Sequence, residues 1–105
     1  MKRMIAALLF LTFCAAVASA AQAGDPFEGE TLAKRWCASC HVVAKDQKHG
    51  NTQAPPFSEI ADKPGLTAAS IALFLLRPHP PMPDMNLSRV EAGDLAAYIE
   101  EQGKQ

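Results

Sequence analysis

The sequence predicts an all-α fold, three to four helices in one domain. Three observations carry this. Two segments open on paired helix-start signals, Asp25-Pro26-Phe27-Glu28 and Ser88-Arg89-Val90-Glu91. Apolar residues after each recur at three- and four-residue spacing, the period of one helix face. No stretch alternates apolar and polar residues as a half-buried strand does, and no repeat or low-complexity tract appears.

The chain starts with a segment that reads as an export signal over residues 1–23. Lys2 and Arg3 form its charged start, and Ile5 to Val17 its apolar middle. Ala18-Ser19-Ala20 or Ala21-Gln22-Ala23 then offers a small-residue cleavage site. A membrane anchor is the competing reading, but the run falls short of the ~20 apolar residues a spanning helix needs. Cys14 leaves with the signal. Residues 24–105 then form the domain, with no membrane span after cleavage. A chain of about 82 residues buries only ~60% of its unfolded surface and is marginal alone. It is expected to depend on a staple.

In the first helix Asp25 is the cap, Pro26 suits the first helical position and Glu28 completes a capping box. Gly29, Leu32, Ala33, Trp36, Cys37 and Cys40 share one face, while Glu30 and Lys34 pair on another. Gly29 costs up to ~1 kcal/mol relative to Ala inside a helix. Either another helix passes close by or Gly29 is an incidental surface residue. Residues 42–56 are polar and turn-prone, and Ala54-Pro55-Pro56 closes them stiffly. His49 lies in this loop as a solvated side chain.

Phe57 to Asp62 reads as one helical turn, and Lys63-Pro64-Gly65 breaks it. Thr67 caps a further helix over Ala68–Arg77, which Pro78 ends. Ile71, Phe74 and Leu75 are its expected core face, and Leu73 and Leu76 widen it into an apolar wall. Four prolines in the six residues 78–83 rule out regular structure and hold a rigid loop carrying Met82 and Met85. In the last helix Ser88 and Glu91 form a second capping box, with Leu87 and Ala92 as a staple. Leu95, Tyr98 and Ile99 are its buried face, and Gly103 its stop.

The chemistry sits at Trp36-Cys37-Ala38-Ser39-Cys40-His41. Residues three apart on a helical turn face the same way, so both thiols reach one edge of a planar macrocycle. The histidine that follows can bind the metal. C-x-x-C-H is the signal for covalent c-type haem attachment. Two other chemistries use similar spacing. A redox dithiol should follow a buried strand, and what precedes Trp36 reads as a helix. A zinc site needs two further Cys or His at ligand spacing, and residues 24–105 hold no third cysteine. If His41 binds iron, its other ring nitrogen needs a partner, and a carbonyl of Ala54-Pro55-Pro56 is a candidate.

The order of these parts resembles the class I cytochrome c family, specifically its small bacterial periplasmic members. A capped helix runs into C-x-x-C-H; a proline loop, a central helix, a proline-flanked methionine and a final amphipathic helix with an aromatic follow. The resemblance covers essentially the whole of residues 24–105. It implies a small cytochrome c fold around one haem c, bound covalently through Cys37 and Cys40. It implies His41 as proximal ligand, Met82 as distal ligand and Pro55 as the proline whose carbonyl orients the histidine. Gly29, Leu95 and Tyr98 match the crossing of the first and last helices. Met82 lies sixteen residues before Tyr98, as the ligand methionine does in the family. Met85, three residues before Ser88, suits core beneath the last helix instead. His79 is a rival donor to Met82. The chain departs from the family pattern twice. No second Trp follows Trp36 to bond a propionate, and no Tyr precedes the methionine loop to bond its sulfur.

The expected function is electron transfer by a mono-haem cytochrome with His/Met ligation, passing single electrons between periplasmic redox partners. It is not an enzyme on this reading. The alternatives are a haem subunit of a larger periplasmic dehydrogenase or oxidase, and a ligand-binding or peroxidatic haem protein. Lys2 and Arg3 are two of the ten Lys and Arg, whereas all eleven Asp and Glu follow residue 23. The exported chain therefore has eight basic against eleven acidic residues, a net charge of −3. No basic patch suits nucleic acid, and a basic or apolar protein surface is the expected partner.

Overall fold

The structure is a computed structural model describing residues 23–51, 53–77 and 79–103. Residues 1–22 of the expected signal lie outside the described residues, as does Pro78, the expected helix stop. Among the described residues four helices form: α1 Pro26–Trp36, α2 Phe57–Ala61, α3 Ala68–Leu75 and α4 Arg89–Glu101. Among the described residues there is no strand, and an isolated antiparallel bridge joins His79 to Met82. Among these residues, too, no helix is long and apolar enough to cross a membrane.

Helix α4 is the element on which α1, α2 and α3 each pack. Its closest neighbour is α1. A Cβ on Gly29 would overlap the Asp94 carbonyl and lie 2.8 Å from Cβ of Tyr98. One on Gly24 would overlap the Gly93 carbonyl. Of the two explanations open for Gly29, the close approach of a second helix is therefore the right one. The core follows from this crossing: Ala33, Leu95, Ala96, Tyr98 and Ile99 are buried around it, with Val43, Phe57 and Ile71 closing the far side.

Carboxylates on α4 also cap its neighbours. Asp25 accepts from the backbone N–H of Phe27 at 2.9 Å, as a cap should. The capping box expected with Glu28 is absent. The Asp25 N–H instead donates to Asp94 Oδ1 at 2.7 Å, because α4 lies against the start of α1. Glu100 Oε2 accepts from the Ala68 N–H at 2.7 Å and so supports the start of α3. Helix α4 forms its own box in full: Ser88 Oγ accepts from the Glu91 N–H, and Glu91 Oε2 accepts from the Ser88 N–H. These bonds hold the Glu91 carboxyl below the usual carboxylate range.

Two expectations about faces need correction. Phe74 is 56% exposed rather than core, because α3 ends at Leu75 and turns that side away from α4. Trp36 is 49% exposed, with the Arg35 guanidinium 5.0 Å from its ring centroid. At the last turn of α1, the core face is taken by Ala33 and Cys37 instead.

Candidate functional site

Cys37 is the residue on which α1 ends, its N–H still bonded to the Ala33 carbonyl at 2.9 Å. The chain then makes one more turn. The N–H groups of Cys40 and His41 both donate to the Cys37 carbonyl, at 3.1 and 2.8 Å. The core thus seats Cys37, 5% exposed, and the turn carries Cys40 and His41 out of it half-buried. Burial pushes the Cys37 thiol up to about 11, with Cys40 beside it adding to the shift. A dithiol oxidoreductase needs the opposite, a thiol depressed enough to ionise near neutrality.

The His41 ring is fixed on two sides. Its Nδ1 lies 2.6 Å from the Pro55 carbonyl oxygen. A carbonyl can only accept, so Nδ1 carries the proton and Nε2 keeps its lone pair, the tautomer a metal ligand requires. The Phe57 ring lies 5.3 Å from the imidazole centroid, tilted by 48°. Phe57 packs in turn edge-on against Tyr98, 6.3 Å away. The Phe57 N–H donates to the Val42 carbonyl at 3.0 Å, which ties the proline segment to the residue after His41. The Tyr98 hydroxyl donates to the Val43 carbonyl at 2.6 Å, fastening the same strip to α4.

Gln47 is the residue that sequence reasoning missed here. Its Oε1 accepts from the Val43 N–H at 2.9 Å. Its Nε2 donates to the carbonyls of Ala38, His41 and His49 at 2.9, 2.8 and 2.9 Å. A single amide thereby stitches the cysteine turn to the loop that follows it. In the sequence Gln47 is one polar residue among many in a turn-prone stretch, and no local spacing marks it. Gln47→Ala would leave these backbone groups without their partner, at about 1–3 kcal/mol. The expected result is a lower denaturant midpoint for the haem-loaded protein with its covalent haem retained.

Met82 and Met85 are both half-buried. Residues 79–82 form a tight reversal in which the Met82 N–H donates to the His79 carbonyl at 3.1 Å, and the Pro80–Pro81 peptide is cis. The reversal sets His79 Nε2 2.7 Å from Met82 Sδ. Beyond it, Asp84 accepts from the Asn86 N–H at 2.8 Å, and Asn86 takes a positive φ of 52° just before the cap of α4. His49 is an exposed loop residue, as expected.

These residues fit a covalently held haem. Two cysteines share one helical turn beside an imidazole whose protonated nitrogen is already engaged. Leu73 and Phe74, at 60% and 56% exposed, present large apolar surface on α3. Such surface is what a macrocycle would cover.

Residues 27–103 match the family model of cytochrome c. The chain belongs to the cytochrome c family. It is a class I c-type cytochrome, and with that comes a covalently attached haem c with its iron, for which Cys37 and Cys40 are present. It is 52% identical over 85 residues to cytochrome c-552 of Bradyrhizobium diazoefficiens, covering 81% of this chain and 82% of that protein. No solved structure matches it. The family is one of haem electron transfer, and the four helices without strands among the described residues agree with its small fold.

Proposed function

We propose that this chain is an exported, non-enzymatic carrier that moves single electrons between redox partners in the periplasm. The observation that carries this reading is the bond from His41 Nδ1 to the Pro55 carbonyl, directly after the two cysteines. It supports His41 as the proximal ligand and Pro55 as the residue that orients it. Cys37 and Cys40 form the thioethers. Met82 is the distal ligand, a soft neutral sulfur that favours the ferrous state. The bound haem supplies an iron that gains and loses one electron.

The chain's own contribution is to keep the geometry unchanged between the two states. His41 is held by Pro55 and Phe57, and Met82 by a backbone bond across its turn. Little then has to reorganise when the charge changes. The net charge of −3 on residues 24–105 suits a partner with a basic rim. Residues 1–23 fit a cleaved signal.

Absorption spectra of the exported protein, oxidised and reduced, test this reading. A low-spin ferric form with a methionine–iron charge-transfer band is expected. Met82→Ala should lose that band and Met85→Ala should keep it. High-spin iron in the wild type, or loss of the band on changing Met85 alone, would refute the ligand assignment.

A further inference from the structure

The structure holds two imidazoles by one device. His41 Nδ1 faces the Pro55 carbonyl, and His79 Nδ1 faces the Arg77 carbonyl at 2.9 Å. Because a carbonyl only accepts, the neutral His79 ring has its proton on Nδ1 and a lone pair on Nε2. That nitrogen has no proton to give the thioether. Yet it lies 2.7 Å from Met82 Sδ, so two electron-pair donors of one turn converge on one place. The ring is also braced: Phe74 lies 4.0 Å from it, tilted by 34°. His79 is half-buried and sits in the same backbone-closed reversal as Met82. This is how a nitrogen is prepared to bind a metal, three residues from the sulfur that is read as binding it.

We propose that His79 is a reserve distal ligand, which takes the sixth position on the iron whenever Met82 is not bound there. The inference rests on the reading of Met82 as distal ligand. In the exchange the iron–sulfur bond breaks and an iron–nitrogen bond forms. The electron pair comes from Nε2, no electron changes hands, and no proton has to leave the ring because Nδ1 keeps it against Arg77. The consequence is a distal side that stays closed to small ligands after the methionine is lost. The chain thereby remains a carrier, at lower potential, rather than becoming a ligand-binding haem protein.

The test compares the haem-loaded wild type, Met82→Ala and Met82→Ala/His79→Gln by ferric absorption, electron paramagnetic resonance and carbon monoxide titration of the ferrous form. The double variant keeps side-chain bulk at position 79 but removes the imidazole. Far-UV circular dichroism checks that the helices persist in each. Met82→Ala should lose the charge-transfer band yet stay low-spin with a bis-imidazole signature. The double variant should be high-spin. If His79 occupies the iron nine-tenths of the time, carbon monoxide should bind Met82→Ala about ten-fold more weakly than the double variant. Met82→Ala that is high-spin and as reactive as the double variant would overturn the proposal. So would a double variant that remains low-spin, since some other group would then be the ligand. A charge-transfer band surviving in Met82→Ala would overturn the methionine assignment itself, and the proposal with it.

Discussion

Gly29→Ala should destabilise the protein by about 3 kcal/mol or more, the upper part of the range for overpacked interiors. Helix propensity alone points the other way, since Ala is favoured over Gly by up to ~1 kcal/mol in a helix interior. The crossing decides. The new Cβ would overlap the Asp94 carbonyl, a backbone atom inside α4 that cannot swing aside, and would press on Tyr98 Cβ at 2.8 Å. Relief requires α1 to move off α4. That would stretch the Asp25–Asp94 bond and disturb Ala33 and Cys37, which α1 buries. A domain this small has a margin of only about 5–15 kcal/mol. Gly93 provides the control: a Cβ there meets nothing within 4 Å. Gly93→Ala should be neutral or stabilising by up to ~1 kcal/mol. Urea unfolding of the two haem-loaded variants measures both. Equal midpoints would mean that the crossing is looser than its geometry.

Removing both cysteines should have a still larger effect, because it removes the haem. Cys37→Ala/Cys40→Ala is expected to carry no covalent haem and to lose most of its far-UV helical signal at room temperature. About 82 residues bury too little surface to stand alone, and Leu73 and Phe74 would be left facing water. Whole-protein mass spectrometry after acid–acetone extraction should give one haem on the wild type and none on the variant. A variant that unfolds cooperatively without haem would show that the four helices suffice by themselves.

Much of the fold could be read from local chemistry. Ser88 and Glu91 mark the start of α4 because a capping box is a contact between near neighbours, and Leu95, Tyr98 and Ile99 mark its face by period alone. Cys37 and Cys40 with His41 after them are legible for the same reason, since the haem-attachment signal is a matter of adjacency. What the sequence hides is long-range. Glu28 looks like the partner of Asp25, but Asp94 takes that place from another helix. Phe74 has the spacing of a core residue, yet the direction in which α3 meets α4 leaves it outside. The roles of Gln47 and His79 depend on which carbonyls a fold brings to them. The family resemblance bridged part of this gap. It implies Pro55 as the proline that orients His41, and the Pro55 carbonyl is the one facing the His41 ring.

The bond between Asp25 and Asp94 spans 69 positions of sequence, and Cys37, Cys40, His41, Pro55, His79 and Met82 all fall between its ends. The chain is in effect a loop of rope knotted at the base, with every residue proposed to hold or orient the haem strung along the bight. Slack in the bight is cheap, because doubling the length of a flexible segment adds only about 0.6 kcal/mol of closure entropy. Length can therefore be added at exposed points of the bight, away from Gln47, Pro55 and the 79–82 turn, while the knot holds. The knot has no such latitude. A change of one methyl at Gly29 loosens every part of the bight together.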